Sequence, residues 1–285
     1  MRVLVTGGSS LLGKYLFETR PALVELSQTW FTNYIPGYHL DICNKSQVAY
    51  IFERTRPNVV IHCAAVGSVD YTESHFTETH VVNVLGTQNI VRAATDHKAL
   101  MVYISTNAVF GGDNPPYDES AERHPVNRYG SIKREAETMV MAERNWLIIR
   151  PFLLYGHPYP GGRQNWYTTI TRNLSTGKAT RLVNDRFWQH TYAGDVAAAI
   201  WKLIELDKRE EIYHIATNET MSLFDFGVKV AAHHGADPML IEAMSSEELP
   251  KGTAPRPVDT TYKLDKIHKL GIKCRGVEKG LKALK

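Results

Sequence analysis

Short apolar runs and amphipathic stretches alternate through the first half of the chain. Residues 2–6 (RVLVT) form a β-branched run that stops at glycines and predicts a strand. Residues 11–19 read as a helix, and residues 29–31 as a weak second strand. The stretch 45–55 (KSQVAYIFERT) is amphipathic and follows Asn44, a good N-cap. Residues 59–63 (VVIHC) make a continuous apolar strand, as expected where helices cover both faces of a sheet. A helix over 83–94, a strand over 100–105 (LMVYIS), a long helix over 126–144 and a strand over 146–150 (WLIIR) continue the alternation. Strands separated by helices at this spacing predict βαβ units and a parallel sheet.

After Pro151 the texture changes. Residues 155–163 (YGHPYPGGR) read as loop. Helices are predicted over 165–174, 195–206 (DVAAAIWKLIEL) and 223–233, and a strand over 212–216 (IYHIA). The segment 249–258 holds three prolines and is expected to be extended.

Composition narrows the class. The 285 residues are 43% apolar and 22% charged, which excludes a disordered chain, a collagen and a disulfide scaffold. No apolar run approaches the roughly 18 residues of a membrane helix, so no membrane partner is expected. The opening MRVLVTGGSS is too glycine-rich for a signal peptide, and three widely spaced cysteines suit a reducing compartment. A cytoplasmic location is the expectation. The net charge of +3 is a local property: residues 263–285 carry eight Lys/Arg against two acids, leaving the rest of the chain at −3. That tail reads as a solvated terminal helix. It lacks the interleaved aromatics of a nucleic-acid face, and no nucleic-acid partner is expected.

The candidate chemistry begins at the first strand. It runs into Gly7-Gly8-Ser9-Ser10-Leu11-Leu12-Gly13 and then a helix. Glycines there permit a tight turn and close approach of a pyrophosphate, which the helix N-terminus attracts. Gly7, Ser9, Ser10, Leu11, Leu12 and Gly13 are therefore assigned to a dinucleotide. Trp30-Phe31-Thr32-Asn33 at the end of the second strand offers no carboxylate for a ribose 2′-OH. The cofactor is thus NADP(H) or NAD(H), with a slight lean to NADP(H). Asp41, followed by Ile42, either accepts from the adenine amino group or caps a helix. Tyr129 and Lys133 stand at i and i+4, on one helix face, where an ammonium can lower the pKa of a phenol for proton exchange. Ser105 and Thr106 end a parallel strand, the edge where open α/β sheets bind ligands.

With these features together, the chain resembles the extended short-chain dehydrogenase/reductases. VIHCAAVGSVDYTE (60–73), VNVLGTQNI (82–90), ISTNAVF (104–110), Tyr117–Glu119 with Tyr129–Lys133, RPFLLYG (150–156) and Arg256-Pro257 resemble the dTDP-4-dehydrorhamnose reductase branch. The resemblance implies an α/β fold: a Rossmann-type doubly wound parallel sheet with a smaller C-terminal α/β substrate lobe. Residues 1–155 and about 185–215 would bind the cofactor, and 156–184 with 216–285 the substrate. It implies Tyr129 as proton donor, Lys133 on the nicotinamide ribose, and Thr106 polarising a sugar carbonyl. Cys63 would join the cofactor site, Ala64 and Ala65 would line the adenosine or ribose path, Asn83 would support the strand and the proton-relay region, and Pro151 and Phe152 would cover the nicotinamide. Ser105 would join the cofactor site. Asn107, Arg163, Asn165, Trp166, His190 and Arg256 would grip a nucleotide-sugar.

Three departures bear on the substrate. Ser10 replaces the middle glycine of the family turn, and serine disfavours positive φ. Asn107-Ala108 stands where the family usually has Asp-Tyr, and Phe187-Trp188-Gln189-His190 is bulky where the family is small. The expected activity is reduction of a 4-keto-deoxy nucleotide-sugar, with a 4-epimerase as the alternative. The chain also resembles the methionine adenosyltransferase β-subunit, which makes a non-catalytic NADP-binding regulatory subunit a third reading. A homodimer is left open. Twelve histidines show no HExxH or spaced carboxylate set, so no metal is expected. His62 and His214 read as packed rather than catalytic.

Overall fold

The computed structural model describes residues 1–284. Its first half is a run of β1 (Arg2–Thr6), α1 (Leu11–Glu18), β2 (Glu25–Trp30), β3 (Tyr38–His39), α2 (Lys45–Thr55), β4 (Val59–His62), α3 (Val69–Ser74), α4 (Phe76–His80), α5 (Thr87–Asp96), β5 (Leu100–Ile104), α6 (Arg128–Met141) and β6 (Trp146–Pro151). The second half follows with β7 (Leu154–Tyr155), α7 (Trp166–Ser175), β8 (Thr180–Val183), β9 (Thr191–Tyr192), α8 (Ala193–Glu205), β10 (Glu211–Ile215), α9 (Leu223–His233), β11 (Ile241–Met244), α10 (Asp265–His268) and α11 (Val277–Lys282).

Seven strands form one sheet in the order β10-β6-β5-β4-β1-β2-β3, and every neighbouring pair is parallel. This is the doubly wound order, and its strand sequence reverses between β4 and β1. Alternation along β1 shows why the sheet needs two cores. Val3 and Val5 pack with Leu12, Leu16, Val196 and Ile200 of α1 and α8. Leu4 packs on the other face with Val48, Phe52, Ile90 and Ala136 of α2, α5 and α6. Two smaller parallel pairs, β8–β11 and β7–β9, lie outside the main sheet.

Four elements differ from the sequence pattern. The second strand is β2 over Glu25–Trp30 rather than 29–31, because pairing with β1 (Arg2↔Glu25 to Val5↔Gln28) overrides the poor strand propensity of ELSQTW. The helix expected over 83–94 begins as a π-turn, Val81–Gly86, before α5. The long helix starts only at Arg128, because Asn127 caps it by accepting from Gly130 N at 2.8 Å. The tail is not one solvated helix. Its short helices α10 and α11 bury Ile267, Val277 and Leu281, while Lys266, Arg275 and Lys263 pair with Glu211, Asp195 and Asp118. Lys285, counted in the basic tail, lies outside the described residues. Among the described residues, no helix is long and apolar enough to cross a membrane.

Candidate active site

The order β5-β4-β1 brings three carboxyl-end segments side by side: the glycine turn after β1, Cys63-Ala64-Ala65 after β4, and Ser105-Thr106 after β5. The turn is tight. Gly7 holds φ +67, and a Cβ on it would stand 2.6 Å from Ala64 Cα. A Cβ on Gly13 would stand 2.5 Å from Gly8 O, so α1 can approach the turn only with glycine there. Gly8 N donates to Thr29 O at 2.7 Å, tying the turn to β2. Ser10 adopts φ −71 and ψ 166, and its hydroxyl accepts from Gly13 N at 3.1 Å. The position is extended, so the expected conflict between serine and a positive φ does not arise, and serine serves as N-cap. Leu11 and Leu12 are the first helical positions, whose N–H groups no intrahelical carbonyl reaches. A cradle with no side chain at Gly7, Gly8 and Gly13, beside free helical N–H groups, fits the diphosphate of a dinucleotide.

The loop after β4 is clamped from below. Asn83, buried in the π-turn, accepts from Val66 N at 2.8 Å and donates to Val66 O at 2.9 Å. A buried chain continues underneath. His62 Nδ1 is 2.6 Å from Thr6 Oγ1, and its Nε2 is 3.0 Å from Thr87 Oγ1. Burial, and then the Lys133 charge, lowers the His62 pKa to about 3, so this histidine is a neutral strut between β1, β4 and α5. Burial pushes the Cys63 thiol up to about 12.

Tyr129 and Lys133 lie on the face of α6 turned to the end of β5. Tyr129 is half-buried. Burial raises its pKa, while the Arg163 charge and a hydrogen-bonding interaction with the Thr106 hydroxyl pull it back. The structure therefore brings Thr106, Tyr129 and Arg163 together. It corrects one expectation, because Lys133 does not supply the charge that opposes this shift. Lys133 Nζ donates to Ile104 O at 2.7 Å and sits 4.1 Å over the Tyr103 ring. It is only 3% exposed, and burial lowers its pKa to about 7 against the raising influence of Glu137 and Cys63.

Other predicted residues fall into two groups. Asn107 stays at the site, donating from Nδ2 to Thr260 Oγ1 at 2.9 Å and so joining the β5 end to the C-terminal segment. Arg163 also stays, its guanidinium packed over Gly67. Trp166 is exposed at the start of α7. Arg256 forms a two-pronged pair with Asp70, at 3.0 and 2.8 Å, that bridges α3 and the C-terminal segment.

The rest are held elsewhere. Asn165 caps α7 and donates to Gly156 O at 2.8 Å. His190 is buried and stacks on Phe226 at 4.3 Å, and its pKa falls to about 3, so it is a core residue rather than a pocket contact. Phe152, beside Pro151 at the end of β6, is buried edge-on against Tyr262 at 5.1 Å. Ile42 is buried with the α2–α5 core, and Asp41 Oδ1 accepts from Cys43 N at 2.8 Å in a local turn, while the cap of α2 is Asn44 rather than Asp41. Ser105 is buried under the strand end, close enough to Glu137 to lower the pKa of that carboxylate.

The sequence reading missed the charges beneath this wall. Glu137 accepts from Arg150 Nε and Nη2 at 2.8 and 2.7 Å and from Arg123 Nη1 at 2.9 Å. Its spacing was the available signal: Tyr129, Lys133 and Glu137 are four residues apart in turn.

Comparison with known proteins agrees with this architecture. The family described as "RmlD substrate binding domain" matches residues 1–284. The crystal structure of a dTDP-4-dehydrorhamnose reductase from Bacillus anthracis in complex with NADP has a TM-score of 0.90 and 30% identity, covering 99% of this chain and 98% of that one. The dTDP-4-dehydrorhamnose reductase of Aggregatibacter actinomycetemcomitans is 27% identical over 297 residues, covering 100% of this chain and 98% of that protein. Methionine adenosyltransferase 2 subunit beta of Xenopus laevis is 26% identical, covering 95% of this chain and 83% of its own length. With a family match along 284 residues and the doubly wound sheet that the match requires, the chain belongs to the RmlD substrate binding domain family.

Proposed function

We propose that this chain reduces the keto group of a 4-keto-deoxy nucleotide-sugar. At the coarser level it is an NAD(P)-dependent oxidoreductase of the sugar-nucleotide reductase type, in line with its family and with the named reductases it resembles. The observation that carries the finer reading is the convergence of Thr106, Tyr129 and Arg163 at the carboxyl edge of β5, beside the glycine cradle.

The cradle of Gly7 to Gly13 and the N–H groups of Leu11 and Leu12 would hold the cofactor diphosphate, with Ala64 and Ala65 along its path. Bound nicotinamide supplies the hydride. The protein's own work is orientation and proton transfer. Thr106 directs a hydroxyl at the carbonyl oxygen, and Tyr129 delivers the proton to that oxygen. A phenol whose pKa is raised by burial is fully protonated at neutral pH, which is the form a reductase must start from. Arg163 then bears the charge left on the phenolate, and Lys133 would hold the nicotinamide ribose. Residues 156–184 and 216–285 form the lobe that closes on the nucleotide-sugar, with Trp166 exposed for a base and Arg163 available to phosphate.

A second reading has a specific support. Similarity to a subunit of methionine adenosyltransferase covers 95% of the chain, so the fold could act as a nucleotide-binding partner without turnover. Retention of Thr106, Tyr129 and Lys133 together favours the reductase. Loss of NADPH absorbance with a panel of 4-keto nucleotide-sugars separates the two. Turnover is the expected result, and tight cofactor binding with no turnover on any of them overturns it.

A further inference from the structure

We propose that Glu137 is a positioning residue: its buried carboxylate, one helical turn from Lys133 on the Tyr129 face of α6, holds Lys133 charged, and Arg123 and Arg150 set how strongly it does so. The inference rests on the reading of Tyr129 and Lys133 given above and extends it to residues that touch neither substrate nor cofactor.

Geometry carries the argument. Residues four apart on a helix are neighbours, so Lys133 lies between Tyr129 and Glu137. Lys133 is 3% exposed and Glu137 fully buried, so both charges have left water. An ammonium in that position loses its proton unless a carboxylate is near. Glu137 is that carboxylate. Burial would neutralise Glu137 in turn, but Arg150 and then Ser105 and Arg123 hold its pKa below the usual carboxylate range. Arg150 is itself 1% exposed, reaches in from β6, and touches His214 Nε2 at 3.2 Å and Glu119 O at 3.4 Å. Arg123 comes from the segment before α6 and is partly exposed.

The remaining titratable groups facing this pair do not offer a substitute. His62 at the end of β4 and Cys63 just after it are neutral at physiological pH. Tyr103 from β5 and Tyr262 from the C-terminal segment are buried phenols with raised pKa values. Glu119 lies beyond Arg150, where it accepts from His214 N at 3.0 Å. Glu137 is therefore the larger of the two influences that raise the Lys133 pKa, ahead of Cys63, and it acts through space, because Lys133 Nζ donates to Ile104 O and the Glu137 oxygens accept from Arg150 and Arg123. It is also adjustable, because Arg123 shields the same oxygen that Arg150 holds, Oε2.

Two substitutions move Lys133 in opposite directions, which a merely structural role would not do. The measurement is NADPH affinity against pH, by fluorescence titration, together with kcat against pH. In the wild type both fall as pH rises through the region of about 7 where Lys133 loses its proton. Glu137→Gln removes the carboxylate charge, and the fall moves to lower pH by about one unit. Arg123→Gln removes shielding, and the fall moves to higher pH by roughly half a unit. An unmoved limb in both variants, or a shift of the same sign in both, overturns the proposal.

If Glu137→Gln does not fold because Arg150 is left buried without its partner, Arg123→Gln decides alone. An upward shift supports the proposal, and an unmoved or downward limb refutes it. Opposed shifts in NADPH affinity without turnover of any keto-sugar would sink the reductase reading and leave this inference standing. Turnover with unmoved limbs would do the reverse.

Discussion

The β1–α1 turn and the buried face of α6 serve one site with different materials. The turn works by backbone and one uncharged hydroxyl. Gly7 and Gly13 contribute nothing but the absence of a Cβ, and Ser10 closes the helix end. No charge there depends on pH. The face of α6 works by side chains whose charges are all costly to bury: Lys133, Glu137 and, across from them, Arg150. A turn made of backbone fails by steric overlap, at every pH alike. A wall made of buried charge fails when a proton is gained or a partner is lost, and its failure has a pH dependence.

The sharpest break on the turn side is Gly7→Val. Its Cβ would fall 2.6 Å from Ala64 Cα, and a β-branched residue cannot accept φ +67 without strain. NADPH affinity should drop by more than about 100-fold with no pH dependence, as read by fluorescence titration at two pH values. On the wall side, Arg150→Met leaves Glu137 with Arg123 as its one remaining charged partner, beside the Ser105 hydroxyl. A buried ion pair broken on one side costs about 3–5 kcal/mol, which chemical denaturation would show as a lower midpoint. If Arg150→Met were neutral, the buried charges would not be the structural material claimed for this wall.

The neutral histidines give a smaller effect with a definite sign. His190 has a folded pKa near 3, below its unfolded value of 6.5. The unfolded chain binds more protons between those two values, so stability is complete above pH 6.5 and is lost as pH falls toward 3. His62 adds to the same window. His190→Leu should reduce the slope of stability against pH there by about 1 kcal/mol per pH unit. Equal slopes in wild type and variant would show that His190 is not the buried neutral group described. The smallest effect belongs to Asp70→Asn. The Asp70–Arg256 pair is partly exposed, so its loss should cost less than about 1 kcal/mol. A larger loss would mean that the clasp between α3 and the C-terminal segment matters more to folding than its exposure suggests.

The same contrast explains what could be read from sequence. Gly7 and Gly13 were legible because a glycine turn between a strand and a helix has few other uses. Tyr129 and Lys133 were legible by spacing. The parallel sheet was legible because β4, β5 and β6 are continuous apolar runs. Glu137 was not singled out, although it sits four residues beyond Lys133, because an exposed glutamate on a helix would look the same in sequence. His190 reads as a pocket contact and Phe152 as cover for the nicotinamide, yet packing against Phe226 and Tyr262 buries both side chains. Asn165 reads as a sugar-nucleotide contact, and its cap role was not legible because it depends on accepting from the N–H of Thr168 once α7 has formed. β8 and β11 escaped notice because two four-residue strands carry too little periodicity to stand apart from loop.

In the proposed division of labour the turn would hold the cofactor and Tyr129 would move the proton. The most direct test is the rate of NADPH oxidation by Tyr129→Phe at saturating 4-keto nucleotide-sugar, with NADPH affinity measured on the same preparation. The account predicts a loss of about 100-fold or more in kcat, the scale of a removed general acid, with NADPH affinity within about twofold of wild type. A variant that kept most of its turnover would contradict it.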